Sequence, residues 1–326
     1  MARSTGGEVF SCFSCGGGST MGYKLAGFNV IGNCEIDEAI NAMYVKNHSP
    51  THNYRMDIRD LLKRELPREL YALDILDGSP PCSAFSLAGR REKNWGKEKA
   101  FREGQATQTL DDLFFRFIAL AERLKPKIVV AENVKGITVG KARGYVNQIL
   151  SQFRAAGYAV QMFLLNSAFM EVPQTRERVF FVARRNDLGL PDIKLEFNHS
   201  PIPFGEVRSE RGEPFKTDSK HERYLKLRKA TDKAMDDIYK RVEGRGSCFG
   251  NPIVSDGQVC PTVTAGGLIY RMHDGLKFSA HDLIATFTFP EDYDFCGLDV
   301  KYVCGMSVPP MMMYHIAAQI RAQWMG

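Results

Sequence analysis

The feature that most constrains this chain is a rhythm of short apolar runs, each closed by glycine or a carboxylate and separated by helical stretches. Val9-Phe10-Ser11-Cys12-Phe13-Ser14 runs into Cys15-Gly16-Gly17-Gly18-Ser19-Thr20-Met21-Gly22. A helical stretch over Tyr23–Phe28 leads to Asn29-Val30-Ile31-Gly32-Asn33-Cys34, which Glu35 ends. Strand, glycine turn, helix and a second strand with an acid at its tip is the βαβ pattern that lets backbone approach a nucleotide closely. The glycine spacing is not GxGxxG, so the turn suits a nucleoside with a neutral or positive tail better than a dinucleotide. Glu35 would then take two ribose hydroxyls. Further strands are expected at Ile128–Ala131, closed by Glu132, and at Ala159–Leu165 and Val179–Ala183. Buried strands alternating with helices predict an α/β fold, an open and mostly parallel sheet with ligands at the strand C-terminal edge.

Two segments add chemistry to that frame. A third strand is read to end at Met56-Asp57-Ile58, putting Asp57 on the same rim. Tyr71–Leu76 reads as another buried strand, followed by Asp77-Gly78-Ser79-Pro80-Pro81-Cys82. The two prolines fix successive φ angles, so Cys82 sits on a stiff stem. A covalent nucleophile needs that, because the attacking thiolate must be held near its target; a buried cysteine after a structural turn is the other reading. Leu87–Gln108 carries Arg90, Arg91, Lys93, Lys97, Lys99 and Arg102 with Trp95 and Phe101 between them. It is either a solvated loop or a lid for a nucleic-acid backbone. Leu113–Leu124 is an amphipathic helix, and Arg176 and Arg178, two apart, share one side of an extended segment.

Composition narrows the class. The eight cysteines are too dispersed for a disulfide framework in a chain of 326 residues. Cys12 and Cys15 form a CxxC, open to redox use or half a zinc site, but no second pair completes a metal set, so no metal is expected. A net charge of +5 is compatible with a polyanionic partner. Without a long apolar run or a signal-peptide pattern, a cytoplasmic protein is expected, with no membrane partner. From residue 190 the texture becomes proline-interrupted and charged, with twelve Lys/Arg against nine Asp/Glu over 205–245. This predicts a catalytic domain at 1–190, a small inserted domain at 191–270, and a returning segment at 271–326 that ends in a helix over Met311–Trp324.

In this order the segments resemble the C5-cytosine DNA methyltransferases that use S-adenosylmethionine. Phe13–Gly22 resembles the family's first motif, Glu35-Ile36 the second and Asp57-Ile58 the third. Pro80-Pro81-Cys82 resembles the nucleophile motif and Glu132-Asn133-Val134 the acid motif. Gln174-Thr175-Arg176-Glu177-Arg178 is similar to Gln-x-Arg-x-Arg. Pro261-Thr262-Val263-Thr264-Ala265 resembles the end of the target-recognition region, and Gly305–Pro310 the last motif. The chain departs from the pattern at Cys15, where the family has glycine, at Thr20, where it has an acid, and at Met306, where it has asparagine.

The resemblance implies a Rossmann-like methyltransferase sheet with a target-recognition domain, and methyl transfer from S-adenosylmethionine to C5 of a flipped-out cytosine in double-stranded DNA. It implies Cys82 as nucleophile at C6, with Glu132, Arg178 and Arg176 as its catalytic companions. Arg176 keeps a structural ion pair as its alternative. The cofactor set so implied is Phe13, Cys15, Gly16, Gly17, Gly18, Glu35, Ile36, Asp57, Ile58, Pro80, Leu113 and Ser307. Ser83, Ser86, Arg90, Arg91, Trp95 and Thr264 fall to the DNA. A monomer acting at the nucleoid, with a cognate restriction endonuclease as a possible partner, completes the expectation. Three alternatives stay open: an RNA cytosine methyltransferase, a silent DNA-binding relative, and a nicotinamide oxidoreductase resting on the βαβ start alone.

Overall fold

The computed structural model describes residues 6–81, 112–139, 142–215, 219–246 and 250–326. In chain order the elements begin with β1 (Glu8–Cys12), α1 (Gly18–Leu25), β2 (Asn29–Cys34), α2 (Glu38–His48), β3 (His52–Tyr54), α3 (Ile58–Leu61) and β4 (Ile75–Gly78). There follow α4 (Leu113–Leu124), β5 (Ile128–Val134), α5 (Ala142–Ala155), β6 (Tyr158–Asn166), β7 (Gln174–Thr175) and β8 (Glu177–Arg185). The remainder is α6 (Lys220–Leu225), α7 (Met235–Glu243), β9 (Ile253–Val254), β10 (Cys260–Pro261), β11 (Tyr270–Arg271), α8 (Ala280–Thr286), α9 (Val300–Met306) and α10 (Pro310–Trp324).

These residues divide into two compact units. The first comprises 1–165, 177–196 and 313–326, and holds the seven-stranded sheet β3-β2-β1-β4-β5-β8-β6. The β1·β2, β1·β4, β2·β3 and β4·β5 pairs are parallel, whereas β5·β8 is antiparallel. The expected α/β class, open and mostly parallel, is what forms. Parallel strands bring their C-terminal ends to one edge, and that edge carries Glu35, the stem after β4 and the tip of β5.

Local chemistry explains the elements. In α4, Leu113, Phe114, Phe117, Ile118, Leu120, Ala121 and Leu124 are buried, a stripe at helical spacing. Each large apolar side chain in that stripe contributes about 1.5–3 kcal/mol relative to exposure. Gly78 lets this helix close on the sheet, since a Cβ there would lie 2.5 Å from the Phe117 ring. Helix α2 starts where the Asp37 carboxylate accepts from the N–H groups of Ala39 and Ile40.

Several boundaries differ from the sequence reading. β3 stops at Tyr54, and Asp57 is instead the N-cap of α3, its carboxylate accepting from the Arg59 N–H at 2.8 Å. A side chain that can cap a helix competes with strand pairing. Tyr71 closes a short 3-10 turn, and β4 starts only at Ile75 and keeps Asp77 and Gly78 within it.

The second unit comprises 166–176 and 197–312. It has a small core of Tyr224, Leu225, Met235, Ile238, Ile253 and Tyr270, and two-stranded pairs β10·β7 and β11·β9. A fully buried ion pair joins Arg271 to Asp282 at 3.2 Å.

Candidate active site

The turn after β1 is strained where a ligand would approach. Phe13 and Cys15 both hold positive φ, 53° and 44°, which costs a non-glycine residue roughly 1–3 kcal/mol and persists only where surroundings enforce it. Here the Phe13 N–H donates to the Cys34 carbonyl at 2.8 Å, and the Cys15 N–H to the Glu35 carboxylate at 3.0 Å. Cys15 thus occupies a backbone conformation natural to the glycine it replaces. Gly17, at φ 69°, caps α1, and a Cβ there would sit 2.1 Å from the His48 Nε2. Thr20, where an acid was expected, is fully buried and hydrogen-bonds the Tyr44 hydroxyl at 2.8 Å.

Glu35 gathers this turn. One carboxylate oxygen accepts from Cys15 N–H and the other from Asp37 N–H, each at 3.0 Å. Burial pushes its proton affinity up, and the N–H groups of Asp37 and Cys15 pull it partly back. Ile36 beside it is exposed. A close-approach glycine, an oriented carboxylate and an open apolar side chain suit the nucleoside end of S-adenosylmethionine.

Asp57 makes an ion pair with Arg59 at 2.8 Å. Ile58 and Leu113, expected at the cofactor, are instead members of the main hydrophobic core, each 2% exposed. Ser307 closes α9 in the second unit, where its buried hydroxyl donates to the Val303 carbonyl at 2.8 Å. Thr264, also in that unit, is exposed and donates to the Gly266 carbonyl at 2.6 Å.

The acid half of the site lies on β5 and β8. Glu132 and Arg178 face each other with Nε 2.9 Å from Oε1, at 12% and 13% side-chain exposure. Antiparallel register makes this pairing, because Val134 lies opposite Arg178 and Glu132 opposite Phe180. Burial lowers the proton affinity of the guanidinium, and the Glu132 carboxylate opposes that. Arg178 Nη1 also donates to the Glu177 carbonyl at 2.8 Å, and Lys135 pairs with Glu177 at 2.7 Å. The strand carrying Glu132 is tied to the Pro80-Pro81 stem, for Asn133 Nδ2 donates to the buried Pro80 carbonyl at 3.1 Å. Cys82, Ser83, Ser86, Arg90, Arg91 and Trp95 lie outside the described residues, as does the Leu87–Gln108 segment.

Arg176 has another use. It belongs to the second unit, is 2% exposed, and donates to the carbonyls of Val263, Gly305 and Ser307 at 3.0, 2.8 and 3.1 Å. Its guanidinium also lies 5.2 Å from the Phe287 ring centroid. Buried and bonded to three carbonyls where a carboxylate was expected, it braces segments of the second unit. Of the CxxC, Cys12 is buried in the core, and burial drives its thiol well above the ordinary range.

Two polar residues escaped the sequence reading. Asn133 was read only as part of the acid motif. Asp77 was passed over as part of a turn, although a carboxylate after Ile75-Leu76 in a buried run is itself a signal.

Comparison with known proteins agrees with this geometry. A family model described as C-5 cytosine-specific DNA methylase matches residues 7–322. The type II methyltransferase M.FnuDI of Fusobacterium nucleatum is 35% identical over 191 residues, 58% of this chain and 50% of that protein. M.NgoPII of Neisseria gonorrhoeae is 33% identical over 194 residues, with the same two shares, so the chain spans about half the length of the curated relatives it matches. Among solved structures, a prophage-encoded protein of the DNA modification methyltransferase kind from E. coli superposes with a TM-score of 0.71. At 18% identity over 98% of this chain and 99% of that one, the likeness speaks for the fold. With its glycine turn, its oriented Glu35 and its facing Glu132 and Arg178 inside the matched span, this chain belongs to the C-5 cytosine-specific DNA methylase family.

Proposed function

We propose that this chain methylates C5 of cytosine in double-stranded DNA. The observation that carries the reading is the Glu132–Arg178 pair on the sheet edge, tied through Asn133 to the Pro80-Pro81 stem of Cys82. Glu35, Cys15, Gly17 and Ile36 would hold S-adenosylmethionine, which when bound supplies a methyl group on a sulfonium.

Cytosine C5 is a poor nucleophile until a thiolate adds at C6 and pushes electron density to it. Cys82 is assigned that addition. The ring must then bear negative charge at O2 and N3. Arg178 meets O2: a guanidinium has five donors, and its bonds to Glu132 and Glu177 use Nε and Nη1. A preorganised donor at such an oxygen is worth about 3 kcal/mol. Glu132 is assigned to donate to N3 and accept from the exocyclic amine. Loss of the C5 proton and departure of the thiolate close the cycle. A base stacked in a duplex cannot reach these groups, so the target nucleotide flips out.

Residues 191–270 are assigned to reading flanking bases. Action as a monomer at the nucleoid, and a cognate restriction endonuclease, belong to the same proposal. No helix among the described residues is long and apolar enough to cross a membrane.

The test is tritium transfer from labelled S-adenosylmethionine to duplex DNA and, in parallel, to transfer RNA. The proposal expects label in DNA and a covalent adduct with 5-fluorocytosine DNA that Cys82→Ser abolishes. Label in RNA alone would move the substrate, and no label with no adduct would make the chain a silent relative.

A further inference from the structure

Two charge pairs stand at the strand ends that carry the site. Glu132 and Arg178 form the inner one. The outer one is Lys135 with Glu177, whose Nζ and Oε2 lie 2.7 Å apart with each side chain 39% exposed. Lys135 and Glu177 follow directly beyond Val134 and Arg178, the last rung of the β5·β8 ladder. Lys135 opens a 3-10 turn, Lys135–Thr138, in which the Thr138 hydroxyl donates to the Lys135 carbonyl at 2.9 Å and Ile137 is buried in the main core. The backbone of Lys135 is therefore pinned while its ammonium stays near the surface.

Such a pair is weak glue. An exposed lysine and carboxylate stabilise little, because water screens them and two long side chains must be held still. Arg178 is turned inward to Glu132, so Lys135 is the cation that these two strand ends show to solvent among the described residues. The three residues from Glu132 to Lys135 span about 10 Å of chain. A nucleotide whose base reaches Glu132 leaves its own phosphates outside, at the lip where Lys135 stands. A phosphate brings the same sign of charge as the Glu177 carboxylate, and its capture by a lysine also releases condensed counterions.

We propose that Lys135 is a contact to the DNA backbone, binding a phosphate beside the flipped cytosine, and that Glu177 occupies its ammonium until that phosphate arrives. This role rests on the function proposed above. Glu177 weakens the complex, since it must give up its lysine and recover a counterion. In return it neutralises Lys135 toward duplexes that seat no base at Glu132. Only a duplex that delivers its cytosine brings a phosphate close enough to make the exchange.

The test measures binding of the full chain to a duplex bearing the sequence it methylates, identified by bisulfite sequencing, with S-adenosylhomocysteine present so that no product forms. Loss of one phosphate contact lowers the slope of log affinity against log salt by about 0.9, which is about threefold in affinity between 50 and 200 mM salt. Glu177→Gln should bind more tightly than wild type, with a steeper salt dependence. Lys135→Gln should lose the full slope of about 0.9 in that background, and less in wild type, where the displaced Glu177 takes a cation back. A neutral methylphosphonate is then set in turn at each phosphate flanking the target cytosine. At the contacted phosphate, adding Lys135→Gln should weaken binding no further than the methylphosphonate alone. Independent losses at every phosphate, or a Lys135→Gln chain with wild-type affinity and slope, would overturn the inference. A wild type that neither binds nor methylates duplex DNA would instead overturn the proposed function, and this role with it.

Discussion

Arg176→Met separates a brace from a catalytic group. Methionine fills much of the same volume and keeps the contact with Phe287 apolar, but it donates nothing. The variant strips the donors from three carbonyls, two of them on the buried residues Val263 and Ser307. A buried acceptor left unmatched costs about 1–3 kcal/mol. Gly305 is partly exposed, so water can replace its donor and the charge there is small. Two buried carbonyls at about 2 kcal/mol each, plus about 1 kcal/mol for the lost stacking of the cation on the ring, give about 5 kcal/mol. Relief of a buried charge offsets part of this, leaving about 3–4 kcal/mol. That is a large share of the 5–15 kcal/mol that holds a typical domain together. Hydrogen exchange read by mass spectrometry should show protection lost at 260–265 and 303–308, with a lower urea midpoint. Activity should fall only as far as the folded fraction falls. Arg176→Lys should recover little, because one ammonium cannot span three carbonyls set by a planar fork. A stable variant, with protection intact and methyl transfer gone, would refute the reasoning and return Arg176 to the substrate.

Gly17→Ala should abolish S-adenosylmethionine binding measured by calorimetry, since its φ of 69° disfavours a side chain and the new Cβ would meet His48 at 2.1 Å. Adding His48→Ala should restore part of the affinity by removing the clash but not the strain. Cys15→Gly should raise the urea midpoint by the equivalent of about 1 kcal/mol, because it relieves a left-handed residue at φ 44°. Asp77 should govern stability against pH. Its folded value, about 7, lies above the ordinary 3.8, so the native state holds a proton that the unfolded chain has released. That contribution is complete below about pH 4, declines as pH rises, and is gone above 7; about three units at 1.36 kcal/mol each set its ceiling near 4 kcal/mol. Urea midpoints of wild type should therefore fall between pH 4 and 7 relative to Asp77→Asn, and parallel curves would contradict the assignment.

What the sequence made legible is local. Helix α4 was readable residue for residue, because seven apolar side chains at helical spacing leave one face to bury. Glu35 and Glu132 were readable because an acid that ends an apolar run on a parallel sheet has few places to go. Asp57 was misplaced by the same logic: Met56 and Ile58 suggested a strand, but a carboxylate two residues before a free N–H begins a helix. Arg176 could not be settled from the chain alone. Its acceptors lie 87, 129 and 131 residues away, and nothing in Gln-Thr-Arg-Glu-Arg distinguishes a side chain aimed at its own fold from one aimed at a ligand.

A buried polar row, with Asn33 of β2, Ser11 of β1 and Asp77 of β4 side by side in register, makes one face of this sheet differ from the other. Phe10, Cys12, Leu76, Val129, Ala131 and Phe181 alternate with the row and fill the main core. On the row's own face, Asn33 donates to Ser14 Oγ and Asn41 Oδ1 at 3.2 and 3.1 Å, and Ser14 in turn accepts the Gly17 N–H on its carbonyl. Hydrophobic side chains there would have stabilised the strands more. They would also have left Ser14, between Phe13 and Cys15, without the Asn33 amide that holds its hydroxyl. Polar groups in a core sharpen position at the expense of stability, and that expense is higher here because Asn33 Oδ1 is buried without a hydrogen-bond partner among the described residues. The row holds two groups of buried bonds, Asn33 with Ser14 and Asn41 under the turn that would hold the nucleoside, and Asp77 with Ser11 and Tyr23 on the strand beside the one that carries Glu132. A substitution in one group should then differ in its effect from one in the other. Asn33→Leu should act chiefly on cofactor affinity and Asp77→Asn chiefly on the pH dependence of stability; equal effects of both on both would mean that the row acts only as a core.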